Sequence, residues 1–201
     1  MDKKTEIIRS ALGAFATHGY SGASLSLIAS QAGTNKQLIT HHFGSKEKLW
    51  RAVIDYELED GVELMRRVGT TETREGPGAA LRQFVQEYVA WVATKTSFQA
   101  MLMFESRLES PRLDWLAKAH ILPSAKVVMS LISACQKTGE VRAGDVGRMY
   151  FTLLHLANSP FVSARQFRLI VGREPSAEAE LDGHRQTILS YLGMAEAEQS
   201  S

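Results

Sequence analysis

The chain has 201 residues, 44% of them hydrophobic and 22% charged, which is an ordinary globular composition. Its 23 Lys+Arg against 22 Asp+Glu give a formal net charge of +1, which excludes a histone-like polycation, a polybasic membrane binder and an acidic tail, but not a local basic patch. The single cysteine, Cys135, excludes an intramolecular disulfide and a Cys-based zinc site, and fits a reduced, cytoplasmic protein.

The opening MDKKTEIIRSALGAF lacks the apolar core and cleavage site of a secretory signal. It reads instead as a first helix, with Ile8, Leu12 and Phe15 on one stripe, ending at His18-Gly19. Ser24 can cap a short second helix in which Leu25, Ile28 and Ala29 make the apolar side, and which ends at Ala32-Gly33. Asn35 can cap a third helix running to Phe43, and Ser45 a long fourth, Lys46 to about Val68. The polar stretch Thr70 to Gly78 (TTETREGPG) reads as a loop. Longer, more apolar helices are predicted over about 79–95, 98–109, 113–121, 124–137, 145–171 and 177–192, with a kink near Asn158-Ser159 because Pro160 falls inside the fifth of these. The last residues, AEAEQSS, read as a frayed tail. No run of apolar residues approaches the ~20 needed to span a membrane, and no strand pattern or repeat is visible.

The fold class expected is therefore all-α. A three-helix unit with helix-turn-helix form, residues 1–50, precedes a larger helical bundle, 51–192, and a flexible tail, 193–201. Charge divides unevenly along the chain. The first 56 residues hold 7 Lys/Arg and 4 Asp/Glu, a net of +3, and the remainder balances to −2.

Residues Leu25 to Phe43 have the short helix, tight turn and second helix of a helix-turn-helix. On a helical wheel Ile39 and Phe43 point inward, Gln37 and His41 fall nearly opposite, and Lys36, Thr40 and His42 flank them. That free face offers donors and acceptors to base edges and phosphates, and a Gln can pair with adenine. Lys46 suits a phosphate, and free N–H groups near Ser24 and Ser45 add anion sites. A metal site at His41-His42 is disfavoured, because neighbours on a helix diverge by about 100°. Arg107 and Glu105 read as a solvated face, and Cys135 as a small buried hydrophobe.

The segment GAFATHGYSGASLSLIASQAGTNKQLITHHFGSKEKLW closely resembles the DNA-binding region of the tetracycline-repressor (TetR/AcrR) family of bacterial transcriptional regulators. The matching positions are Phe15, Gly19-Tyr20, Ser24, Ile28-Ala29, Ala32-Gly33, His42-Phe43, Ser45-Lys46 and Leu49, within residues 5–55. The resemblance implies a homodimer that reads a palindromic operator and whose larger domain binds a small molecule that releases the DNA. Carried over, Asn35 to His42 become the recognition helix. Ser24, Thr40, His42 and Lys46 become phosphate or groove-edge contacts. Two departures stand out: Thr40 where the family often has Tyr, and Thr34-Asn35 where Val-Ser is common.

The resemblance also places the dimer contact on the helices over about 145–171 and 177–192, with the two recognition helices ~34–36 Å apart. A ligand pocket is expected among Tyr88, Trp91, Met101, Phe104, Phe151, His155 and Asn158, because Met and aromatic residues shape adaptable apolar cavities and a proline kink frees polar groups. The partners expected are thus operator DNA, a small-molecule effector and a second copy of the chain, with no membrane, metal or cofactor. A larger domain that only dimerises is the competing reading. No phosphate-binding glycine loop, nucleophile elbow or acid–base pair favours an enzyme.

Overall fold

The computed structural model describes residues 2–194. Every regular element among them is helical: α1 (Lys3–Gly22), α2 (Leu25–Gln31), α3 (Lys36–Phe43), α4 (Lys46–Glu75), α5 (Pro77–Ala93), α6 (Thr96–Glu105), α7 (Pro111–Leu116), a π-helical turn (Ala117–Ile121), α8 (Leu122–Thr138), α9 (Val146–Val162), α10 (Ala164–Val171) and α11 (Glu178–Leu192). The all-α expectation holds.

Contacts divide the chain into two compact units, and not at a single point in the sequence. The first unit takes residues up to Asp60 together with Lys95–His120; the second takes Gly61–Thr94 and the residues from Ile121 onward. A linear division at residue 50 leaves out α6 and α7, which pack with the N-terminal helices. Of the helix pairs, α1 and α6 touch most extensively.

The core of the first unit is built from Ile7, Ile8, Ala11, Phe15, Ile28, Ile39, Phe43, Leu49 and Trp50, with Phe98, Met101 and Leu116 contributed by α6 and α7. Gly19 interrupts α1 with φ 65° and ψ 175°, as its place at the predicted helix end required, and one further turn follows it. In the second unit α5 is central, touching α8, α9 and α11. Leu81, Phe84, Val89, Val128, Leu131, Ile132, Leu153, Ile188 and Leu192 fill that core.

Several expectations are corrected. Residues 70–75 are helix, not loop. Thr70 and Thr73 turn their hydroxyls back onto the Arg66 and Gly69 carbonyls, so polar side chains there fit an exposed helix, and the break comes only at Gly76, with φ 91°, before Pro77. Residues 145–171 form two helices, not one. The chain breaks at Ser163 rather than at Pro160, because the Leu156 carbonyl that Pro160 cannot reach accepts a bond from Ser159 Oγ at 3.1 Å and α9 continues for two more residues. Between α6 and α7, Pro111 takes the first position of α7, and Ser110 caps that helix by accepting from Leu113 N–H. Glu105 is not on a solvated face; it is 2% exposed. Arg107 is exposed as expected. At the end of the described residues Met194 is buried and its carbonyl accepts from Arg82 Nη1 at 2.5 Å. The remainder of the tail, 195–201, lies outside the described residues.

Candidate nucleic-acid interface

Helix α3 exists because its ends are closed by specific residues. Asn35 Oδ1 accepts from Leu38 N–H at 2.8 Å, and Gly44 at φ 79° stops the helix. Within this frame Ile39 and Phe43 are buried, while Lys36, Gln37, Thr40, His41 and His42 are exposed. The wheel argument therefore describes the surface correctly. Thr40 donates its hydroxyl to the Lys36 carbonyl at 2.9 Å, so it turns a lone pair outward, whereas Gln37 and Lys36 keep their donors. His41 and His42 meet edge-on at 5.6 Å, and no group of three His, Cys, Asp or Glu among the described residues is placed to hold a metal.

The two serines expected near phosphates both cap helices. Ser24 Oγ accepts from Leu27 N–H and Ser45 Oγ from Lys48 N–H, each at 3.1 Å. Each hydroxyl keeps its own hydrogen for another acceptor.

Lys46 begins α4, half-buried. Its Nζ lies 4.5 Å from the centre of the Tyr20 ring and 3.5 Å from the Ser21 carbonyl. Burial, and secondarily the charge of Arg112, lower its pKa from the usual lysine value. The guanidinium of Arg112 stands 3.8 Å from the centre of the same ring. Burial raises the Tyr20 pKa, and Arg112 opposes that rise. Arg112 is in turn gripped by Glu105, with Nη2 to Oε1 at 3.0 Å and Nε to Oε2 at 3.3 Å, and Ser110 Oγ donates to the same carboxylate. Sequence reasoning missed this cluster. The Ser110-Pro111 start signal was visible, but the pairing of Tyr20 with Arg112 spans most of the first unit and leaves no local trace. Beside it, Trp115 packs edge-on to Trp50 and to His120 at 6.0 and 5.0 Å, and Arg51 lies 4.8 Å from its ring centre.

The residues expected around a ligand are not gathered in one place. Tyr88, Trp91 and Asn158 meet within the second unit: Asn158 Nδ2 donates to the Tyr88 hydroxyl at 3.1 Å and to the Leu154 carbonyl at 2.7 Å, and the Tyr88 and Trp91 rings lie 5.7 Å apart. Asn158 Oδ1 is buried with no hydrogen-bond partner among the described residues. Burial raises the Tyr88 pKa despite the bond from Asn158. Phe151 and His155 pack with tilted rings, centres 4.1 Å apart, on the exposed side of α9. Met101 and Phe104 belong to the first unit, Met101 in its core. An open groove of about 590 Å³ lies between α5 and α11, lined by Gln86, Glu87, Ala90, Asp182, Arg185, Gln186 and Leu189, none of them an expected ligand residue. Cys135 is a buried free thiol.

Comparison with known proteins gives these surfaces a context. Residues 7–53, which hold α2, α3 and their caps, match the sequence profile of "Bacterial regulatory proteins, tetR family". The HTH-type transcriptional repressor AcnR of Corynebacterium glutamicum is 32% identical over 180 residues, covering 90% of this chain and 88% of that protein. The chain belongs to the tetR family. As a tetR-family protein it is a DNA-binding transcriptional regulator of the repressor class, and not an enzyme. The AcnR of Corynebacterium jeikeium is 33% identical over 85 residues, so that match spans less than half of either protein, 42% of this chain and 41% of the other. Among solved structures the tetR-family fold is matched by PfmR of Thermus thermophilus, with a TM-score of 0.72 at 20% identity over 95% of this chain and 99% of that one. It is matched too by AibR, solved with isovaleryl coenzyme A and operator DNA, with a TM-score of 0.75 at 17% identity over 96% and 99%. No helix of the described residues is long and apolar enough to cross a membrane.

Proposed function

We propose that this tetR-family regulator is a ligand-responsive cytoplasmic repressor that binds a palindromic operator as a homodimer and leaves it when a small molecule binds. The observation that carries the DNA half is the exposed row Lys36, Gln37, Thr40, His41 and His42 over a buried Ile39 and Phe43. The helix needs those polar side chains for nothing in its own packing, and they match what a major-groove edge and its phosphates present. Ser24 and Lys46 flank that row as phosphate contacts.

Dimerisation is supported by apolar surface left uncovered on α9 and α10. Phe151 is 63%, Leu169 78% and Ile170 74% exposed. Uncovered apolar side chains on these two helices, two of them neighbours on the strongly amphipathic α10, favour a second copy as their cover. Sensing is supported by the Tyr88–Asn158–Trp91 group, where a buried amide oxygen is available to a ligand hydroxyl or amine. The release follows from population shift: an effector that favours one arrangement of the dimer disfavours the spacing that fits the operator.

Operator fragments selected from genomic DNA give the test. Gln37→Ala and His41→Ala are expected to weaken binding to the selected palindrome by roughly 5- to 150-fold each, as loss of a good base contact costs ~1–3 kcal/mol. Unchanged fluorescence anisotropy titrations would remove α3 from the reading. A metabolite panel that includes acyl-coenzyme A thioesters, the class held by AibR, tests sensing through release of the labelled duplex.

A further inference from the structure

The phosphate contact at the start of α4 has an arrangement behind it that the recognition helix does not explain. Lys46 carries a positive charge with no carboxylate ion-pair partner among the described residues; the adjacent Glu47 is engaged by Arg51 at 2.6 Å. The ammonium rests on two weak supports, a carbonyl at 3.5 Å and the face of the Tyr20 ring. The ring itself is held by Arg112 at 3.8 Å, and Arg112 is held by both oxygens of a carboxylate that is 2% exposed. Ser110 donates to that carboxylate and also caps α7, so the grip is part of the turn between α6 and α7. Phe104 lies against Gly19, the residue before Tyr20, where an added Cβ would be 3.4 Å from its ring.

The charges explain why the arrangement suits an anion. Glu105 neutralises Arg112 inside the protein, so the free positive charge of the cluster is that of Lys46 at the surface. Arg112 and Lys46 share one ring and repel one another, which a phosphate oxygen beside Lys46 would relieve. A planar guanidinium can stack on the ring and fork onto the carboxylate together; an ammonium can do only one of these.

We propose that Arg112 is a positioning residue for DNA binding: anchored on Glu105, it fixes the Tyr20 ring as the shelf from which Lys46 reaches a backbone phosphate. The segment 105–112 thereby sets whether that contact is made. This rests on α3 and Lys46 facing DNA, and its test separates the two claims.

The measurement is the salt dependence of binding to the selected operator duplex, with a thermal melt of each variant. Lys46→Gln lowers the slope of log K against log salt by ~0.9 for each phosphate it no longer reaches. Arg112→Lys, which keeps the charge but loses the fork and stack, lowers it equally, and the double variant falls no further. Tyr20→Phe keeps the ring and the wild-type slope, and Tyr20→Leu loses it, which answers the question should Arg112→Lys not fold. A wild-type slope in Arg112→Lys, a double variant that falls by the sum, or equal slopes for the two Tyr20 variants would overturn the proposal. Gln37→Ala is the control. It lowers operator affinity at an unchanged slope, and if it changes nothing the reading of α3 fails, whatever Arg112 does.

Discussion

Helices α3 and α10 have the same length, eight residues, and opposite surfaces. In α3 the apolar residues Ile39 and Phe43 are buried and the polar ones face outward; in α10 nothing is buried, and Leu169 and Ile170 are among the most exposed apolar side chains of the protein. The first helix has satisfied its hydrophobic side within the protein and is free to use polar side chains on a polar partner. The second carries an apolar face that its own unit does not cover. On the proposed reading, the first surface suits a charged, hydrogen-bonding polymer and the second an apolar partner surface.

The largest effects should come from breaking the side of α3 that packs. Phe43→Ala is expected to destabilise the first unit by ~3–5 kcal/mol through lost burial and a residual cavity, seen as an early transition in a circular-dichroism melt. Gln37→Ala, on the opposite face of the same helix, should melt like the parent. For α10 the asymmetry reverses. Replacing both Leu169 and Ile170 by Asp should leave the melt of the isolated chain nearly unchanged, yet shift sedimentation velocity from dimer to monomer. Asn35→Ala should cost about 1 kcal/mol, the usual worth of an N-cap, and weaken operator binding through a frayed start of α3. The smallest expected effect is one of pH. Burial lowers the His184 pKa, although its contacts with the Ala157 and Leu156 carbonyls oppose this. The unfolded chain therefore binds a proton first, so this contribution is complete above the ordinary histidine value of about 6.5 and is lost as pH falls through the window below it. A melting temperature that declines from pH 7.5 to 5.5, and declines less in His184→Gln, is the expected signature.

What could be read beforehand follows the range of the forces involved. The boundaries of α2 and α3 were legible because caps and glycines act within four residues: Ser24, Asn35, Gly44 and Ser45 all do what their types predict. The inward residues Ile39 and Phe43 were legible from helical spacing alone. Polarity misled at Thr70–Glu75, where threonine hydroxyls turned inward to their own helix and charged side chains simply faced water. Proline misled at Pro160, because a neighbouring serine supplied the missing bond. Glu105 could not be placed at all from its neighbours, since what buries it is Arg112, Ser110 and the packing of α6 on α1. The expected ligand residues scattered for the same reason: Tyr88 and Asn158 are 70 positions apart and meet only through the packing of α5 on α9.

The buried thiol has a practical side. Cys135 is the sole cysteine of the chain, fully enclosed between α8 and its neighbours, and burial pushes its pKa up to about 11. A thiol alkylates through its thiolate, so at neutral pH this one is close to inert. The wild-type sequence is therefore already a blank background for bioconjugation. A cysteine introduced at exposed Gln31 or Arg165 would take a maleimide dye selectively, without first removing a native residue. On the two copies of the proposed dimer, dyes at position 31 would turn the distance between the N-terminal helical units into a spectroscopic signal, with and without effector.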